Sequence, residues 1–163
     1  MNRLLLALLF LIPGLDLRAG KSAWLPIENQ VSEISHSQDV TVVHFWAPWC
    51  SNCAAELADG AWSSFVASNP KVHFVFVTIW NTEDGRDLLA RHGLGKQANF
   101  QLLLHPNGSR RQEDMMRTFM GFPVTWTPTT WVFRDGKLRY ALNYGEIRFP
   151  MLQQMLDDTA RSW

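Results

Sequence analysis

The chain has two cysteines, Cys50 and Cys53, both within the run HFWAPWCSNCAAEL at residues 44–57. Three kinds of chemistry compete for thiols at that spacing. A structural disulfide would close a loop of four residues, 50–53, and so small a loop removes little chain entropy. A tetrahedral metal site needs two further ligands. His36, His44, His73, His92 and His105 show no paired H-x3-H spacing, so the cysteines alone make half a zinc site. A redox dithiol fits the surroundings better.

That fit comes from the elements expected on either side. Residues 40–46, VTVVHFW, form a short β-branched and aromatic run of the kind that makes a buried central strand. Pro48 stops the ladder, and a helix is expected from about residue 50 to 68, with Gly60 as a kink and Asn69-Pro70 as its stop. A Cys-x2-Cys opening a helix directly after a strand sets the first sulfur over unpaired backbone N–H groups at the positive end of the dipole, an arrangement that favours thiolate. Positions i and i+3 share a helix face, so Cys53 lies one turn deeper. Cys50 is then the attacking thiol, and Cys53 resolves the mixed disulfide formed on it.

The rest of the chain reads as alternating strands and helices. A second buried strand is expected over 71–80, a helix over 82–93 ending at Gly93, and a third strand over 100–105. Residues 110–120, RRQEDMMRTFM, read as a helix ending at Gly121. Asp135-Gly136 between alternating apolar runs marks a β-hairpin, and a last helix starts near Pro150. The order β-α-β-α-β-α-β-β-α implies a mixed central sheet with helices on both faces. Residues 20–37 are a polar lead-in with one short helix near 27–34, and the main domain spans 38–163.

Bulk composition narrows the function classes. Of the 163 residues, 47% are hydrophobic and 18% charged, with eight Trp and ten Phe, which suits one aromatic-rich globular domain. Fifteen basic residues balance fifteen acidic ones, so no strong field exists to gather nucleic acid. Arg3 precedes an apolar run from Leu4 to Ile12, which is too short to span a bilayer and fits the core of an export signal. Residues 1–19 are read as a signal peptide cut after Ala19, or as an uncleaved N-terminal anchor, and either places the domain outside the cytoplasm.

The segment VVHFWAPWCSNC resembles the active-site strand, loop and helix start of the thioredoxin superfamily, and WTPTTWVFRDGKL resembles the approach to that family's final hairpin. The resemblance implies a thioredoxin fold, a central mixed β-sheet with helices on both faces, over residues 38–163. It also implies that Thr127-Pro128 is cis, that Pro128 packs beside Cys50, and that the Thr127 backbone binds a substrate chain as an added strand. Pro123 is the competing proline, but a strand starting there would carry Pro128 in its interior and lose a ladder donor. The long stretch from Cys53 to Pro128 holds an extra strand-helix insertion. With Glu56 three residues after Cys53 and the export signal, it resembles the TlpA/ResA/CcmG-like branch.

That branch implies an extracytoplasmic, periplasmic thiol-disulfide oxidoreductase that reduces partner disulfides, including those of apocytochrome c or copper-site assembly proteins. A membrane thiol donor would recycle it, and no cofactor is called for. Two departures stand out: Ala58 occupies the place of a helix-bending proline, and His44 stands where thioredoxin has a buried acid. His44 or Glu56 is a candidate acceptor for the Cys53 proton, against the plainer readings of a core histidine and an exposed helix carboxylate. Trp46 and Trp49 serve as packing, as a hydrophobic docking collar, or as both. A disulfide-introducing oxidase and a non-catalytic binding module or chaperone of the same fold are the alternatives. A peroxiredoxin is not implied, because Ala47 replaces its Thr or Ser, nor is a Cys-x3-Cys copper carrier.

Overall fold

The computed structural model describes residues 24–143 and 146–161. The expected export segment, 1–19, lies outside the described residues. No helix among those described is long and apolar enough to cross a membrane.

Five strands form one mixed sheet: β1 (Thr41–Trp46), β2 (His73–Thr78), β3 (Phe100–Leu104), β6 (Thr129–Arg134) and β7 (Lys137–Asn143). Their spatial order is β3-β2-β1-β6-β7, with β1, β2 and β3 parallel and β6 and β7 antiparallel to their neighbours. Every residue of β1 is buried, as its unbroken run of Val, His, Phe and Trp requires of a central strand. Alternation along β1 then divides the core. Val42 and Trp46 pack with α2 (Ser51–Leu57), α3 (Ala61–Ser68) and α5 (Phe149–Ala160), whereas Val43 and Phe45 pack with α1 (Pro26–Ser35) on the other face.

Helix α1 is pinned at both ends. Glu28 accepts the Leu25 N–H at 2.7 Å and the Met120 N–H at 2.6 Å, and the Gly136 N–H donates to the Ser35 carbonyl at 2.7 Å. Between them Ile27 and Val31 are buried against the sheet.

Two elements differ from the sequence reading. The single kinked helix over 50–68 is two helices, α2 and α3, separated by a 3-10 turn at Ala58–Gly60 in which Asp59 (φ 54°) and Gly60 (φ 66°) are left-handed. Two consecutive left-handed residues reverse the backbone twist, so the break needs no proline. The helix expected over 110–120 does not form. A lone turn, closed by Asp114 and Met115 N–H bonds to the Arg111 carbonyl, leads instead into the two-residue pair β4 (Thr118–Phe119) and β5 (Phe122–Pro123). Tertiary bonds take the backbone groups a helix would use: the Trp80 indole captures the Met116 carbonyl at 3.1 Å, and Glu28 captures the Met120 N–H. Helix propensity is a weak prior that such contacts override.

Gly85, left-handed at φ 77°, lets the loop after β2 rest on the active-site loop. A Cβ there would lie 2.7 Å from both Pro48 and Trp46 side-chain carbons. At Gly60 a Cβ would meet nothing closer than 3.9 Å. Gly60→Ala is therefore expected to lose only the left-handed strain, about 1 kcal/mol. Gly85→Ala adds a clash and should lose about 2–4 kcal/mol. Urea unfolding of the two variants measures the difference, and equal losses would show that the Gly85 contact does not hold the loop.

Candidate active site

Cys50 is the N-cap of α2, in extended conformation, and its sulfur accepts the Cys53 backbone N–H at 3.2 Å. Capping is how the sequence places this sulfur: Pro48 ends the strand run, the Cys50 N–H donates to the Ala47 carbonyl at 3.0 Å, and the first helical turn closes behind it. Both cysteines are free thiols. Cys50 borders an open groove of about 650 Å³, while Cys53 lies one turn below it and is buried.

The Thr127-Pro128 peptide bond is cis, as expected, and the Cys50 thiol points at the Thr127 carbonyl, 3.6 Å away. β6 starts immediately afterwards, antiparallel to β1, so the hydrogen-bonded sheet holds Thr127 and Cys50 on neighbouring strand ends. Pro123 lies in the short β5.

Beneath the thiols the structure brings His44 and Glu56 together. His44 Nε2 is 3.3 Å from Glu56 Oε2, and His44 Nδ1 is 2.8 Å from the Thr130 hydroxyl. Glu56 accepts two more N–H groups, from Ile147 at 2.6 Å and from the Trp62 indole at 3.3 Å. The His44 ring is packed between Trp62 and Phe76. The contact has the spacing of an ion pair, yet burial drives both groups towards their neutral forms. Burial lowers His44 to about 3. It raises Glu56 to about 7, against the bonds from Ile147 and Trp62 and with help from the nearby Glu146 charge. The pair is therefore a hydrogen bond to a neutral imidazole. The Thr130 hydroxyl can donate to or accept from Nδ1, so the chain of bonds stays satisfied whether or not Glu56 carries a proton.

Cys53 is held well above the ordinary thiol range. Burial is the largest cause; the Cys50 bond and the charges of Cys50 and Glu56 add to it, and a bond to the Ala47 backbone opposes it. The plainer reading of Glu56 as an exposed helix carboxylate is corrected, because it is 5% exposed and roofed by Trp62 and Ile147. Glu56 also contributes to the wall of a second cavity of about 300 Å³, shared with Pro128, Thr130 and Glu146.

The two tryptophans part company. Trp46 is 1% exposed and packs towards Phe76, so its role in a docking collar is corrected to core packing. It shares the helix-covered face of β1 with Val42. Trp49 is 40% exposed, and its indole donates to the Trp80 carbonyl at 3.0 Å. Sequence reading missed Trp126, 57% exposed and lining the groove, although its place directly before Thr127-Pro128 was a signal. It also missed Met115 and Arg117, because the sequence of residues 110–120 reads as a helix with no link to the thiols.

The family model for the thioredoxin-like domain matches residues 27–160. The chain belongs to the thioredoxin-like family. The sporulation thiol-disulfide oxidoreductase A of Bacillus subtilis is 22% identical over 169 residues, covering 98% of this chain and 92% of that protein. A secreted disulfide oxidoreductase of Mycobacterium tuberculosis, homologous to Escherichia coli DsbE, shares the fold with a TM-score of 0.55. It is 22% identical and matches 77% of this chain and 85% of that one. A secreted thiol-disulfide isomerase from Corynebacterium glutamicum gives a TM-score of 0.54 at 16% identity, over 80% and 74% of the two chains. These relatives agree with the resemblance to the TlpA/ResA/CcmG-like branch.

The buried pair makes stability depend on pH in two opposite senses. The proton that Glu56 keeps stabilises the fold below about 4.5, and that contribution is lost as pH rises through about 7. Neutral His44 contributes stability that is present above 6.5 and is lost as pH falls towards about 3. Glu56→Gln removes the first titration alone. Its stability relative to the parent is expected to improve steadily between pH 5 and pH 8, read as urea midpoints. A difference that stays flat across that range would mean that burial does not raise the Glu56 carboxyl.

Proposed function

We propose that the chain is an extracytoplasmic thiol-disulfide oxidoreductase that reduces disulfides of partner proteins through Cys50 and Cys53. The observation that carries this reading is the Cys50 sulfur: it caps α2 at the groove, beside the Thr127 carbonyl, with a buried Cys53 one turn below. The names of the relatives, which are oxidoreductases and in part secreted, support it, as does the apolar run at residues 4–12.

The thiolate of Cys50 attacks one sulfur of the partner disulfide. A Cys50–partner bond forms, the partner S–S bond breaks, and the other partner sulfur leaves as a thiolate that takes up a proton. Cys53 then gives up its proton and attacks the Cys50 sulfur, forming the Cys50–Cys53 disulfide and expelling the second partner thiol. The partner gains two electrons and two protons, and the dithiol is oxidised. Thr127 offers its carbonyl to the incoming chain as the first link of an added strand, and Pro128 sets that carbonyl beside Cys50.

Cys53 needs a base, because burial holds its proton firmly. Glu56 is that base in this reading: it is one helical turn away, its charge acts on Cys53, and near neutral pH it can both take and release a proton. His44 positions it and keeps its oxygen partnered. Burial of Cys53 also supports the reductive direction, since a pair whose reduced form has no stabilised thiolate at that position gives up electrons more readily. Apocytochrome c or copper-site assembly proteins are the partner types the family resemblance implies, with a membrane thiol donor restoring the dithiol and residues 1–19 acting as signal or anchor.

Equilibration with glutathione or dithiothreitol buffers is expected to give a potential near the thioredoxin end of the range from roughly −270 to −120 mV. A value at the oxidising end would make the chain a source of disulfides instead. Cys50→Ser should abolish reduction; partner binding that persists with no reduction by the parent would mark a non-catalytic module. Release of a trapped Cys50 mixed disulfide should accelerate as pH rises through about 7. In Glu56→Gln it should be slower by roughly 10²-fold, the usual worth of a general base. An unchanged pH profile would remove Glu56 from the reaction.

A further inference from the structure

The segment between β3 and the cis proline builds one wall of the groove, and it brings positive charge. Arg117 lines the groove and is held in place by a bond from its guanidinium to the Gln112 carbonyl at 3.0 Å. Arg110 lies over the Trp49 ring, its guanidinium carbon 4.1 Å from the ring centre. Trp49 is in turn pinned to the Trp80 carbonyl, so the stacked guanidinium rests on a fixed platform beside Cys50. No Asp or Glu lines the groove among the described residues. The nearest carboxylate in sequence to either arginine that is ion-paired, Asp114, is taken by Arg111 at 2.8 Å. Arg110 and Arg117 have no carboxylate partner among the described residues.

A chain with fifteen positive and fifteen negative side chains has thus left its reactive groove without negative charge and with two guanidiniums beside it. The lining also carries the apolar and aromatic side chains of Trp49, Trp80, Met115 and Trp126. We infer that the groove selects extended partner segments in which an Asp or Glu flanks the attacked cysteine, the carboxylate being read by Arg110 and Arg117. This inference rests on the proposed thiol-disulfide exchange at Cys50. Guanidinium pairs with carboxylate through parallel N–H bonds, and exposed pairs of this kind steer association and fix register more than they add affinity. An extended segment hydrogen-bonded to the Thr127 backbone would carry its residues on either side of the cysteine along the groove, within the reach of both arginines.

The test uses symmetrical disulfide dimers of short peptides with one cysteine flanked by Glu, Gln or Lys. Reduction by the reduced full-length chain is followed by acid quench and chromatography, and each rate is divided by that of dithiothreitol on the same peptide. At low ionic strength the Glu peptide is expected to react about tenfold faster than the Lys peptide, which corresponds to about 1.4 kcal/mol from two exposed charge contacts. The ratio should shrink as salt approaches 0.5 M, where the screening length falls to roughly 4 Å. It should fall towards one in the double variant Arg110→Ala/Arg117→Ala, and reverse in Arg110→Glu/Arg117→Glu. Equal normalised rates for the Glu and Lys peptides, or a preference that survives the double alanine variant, would overturn the inference while leaving thiol exchange at Cys50 intact. Failure to reduce any of the peptides would overturn both.

Discussion

The contact between His44 and Glu56 is the junction on which the site depends. It joins β1 to α2 directly, and through the remaining bonds of the two side chains it reaches α3 at Trp62, β6 at Thr130 and, at Ile147, the segment that leads into α5. A carboxyl and an imidazole enter a dry layer only if each polar atom finds a partner. Satisfying them there sets the distance between the helix that carries the thiols and the sheet beneath it. The same burial that makes the junction structural displaces both groups from their ordinary protonation behaviour, so a packing element becomes a proton-handling one.

Above this junction the two thiols occupy different environments although only two residues separate them. Cys50 ends the strand-to-helix loop and opens on the groove, whereas Cys53 is enclosed by the core. The asymmetry follows from the cap geometry, in which the sulfur of the first cysteine receives the backbone N–H of the second. The early end of α2, forced by the left-handed pair Asp59 and Gly60, lets α3 turn so that Trp62 can roof Glu56. A straight helix would have carried that indole past the carboxyl.

Trp80 links the far side of the groove to the active-site loop. Its carbonyl receives the Trp49 indole, and its own indole donates to Met116. Through this residue, held with positive φ, the insertion between β3 and β6 becomes part of the thiol site. A balanced overall charge says nothing about such local arrangements: long-range fields cancel, but within a screening length the placement of a few guanidiniums decides what can approach.

Much of this was legible along the chain. Strand and helix periodicity, the DG hairpin and the Cys-x2-Cys after a buried run depend on local chemistry, and they led to the mixed sheet and to both thiols, whereas the cis proline at 128 came from the resemblance of WTPTTWVFRDGKL to the thioredoxin superfamily. Alternation along 40–46 puts His44 on one face with Val42 and Trp46, and helical spacing puts Glu56 one turn beyond Cys53. Tertiary structure alone decided that these two side chains touch, that Trp46 is core while Trp49 is surface, and that residues 110–120 unwind to line a groove. Each of those outcomes depends on a partner distant in sequence, Ile147 for Glu56, Phe76 for Trp46 and Trp80 for Met116, and a hydrogen bond or packing contact across the fold overrides what neighbouring residues prefer.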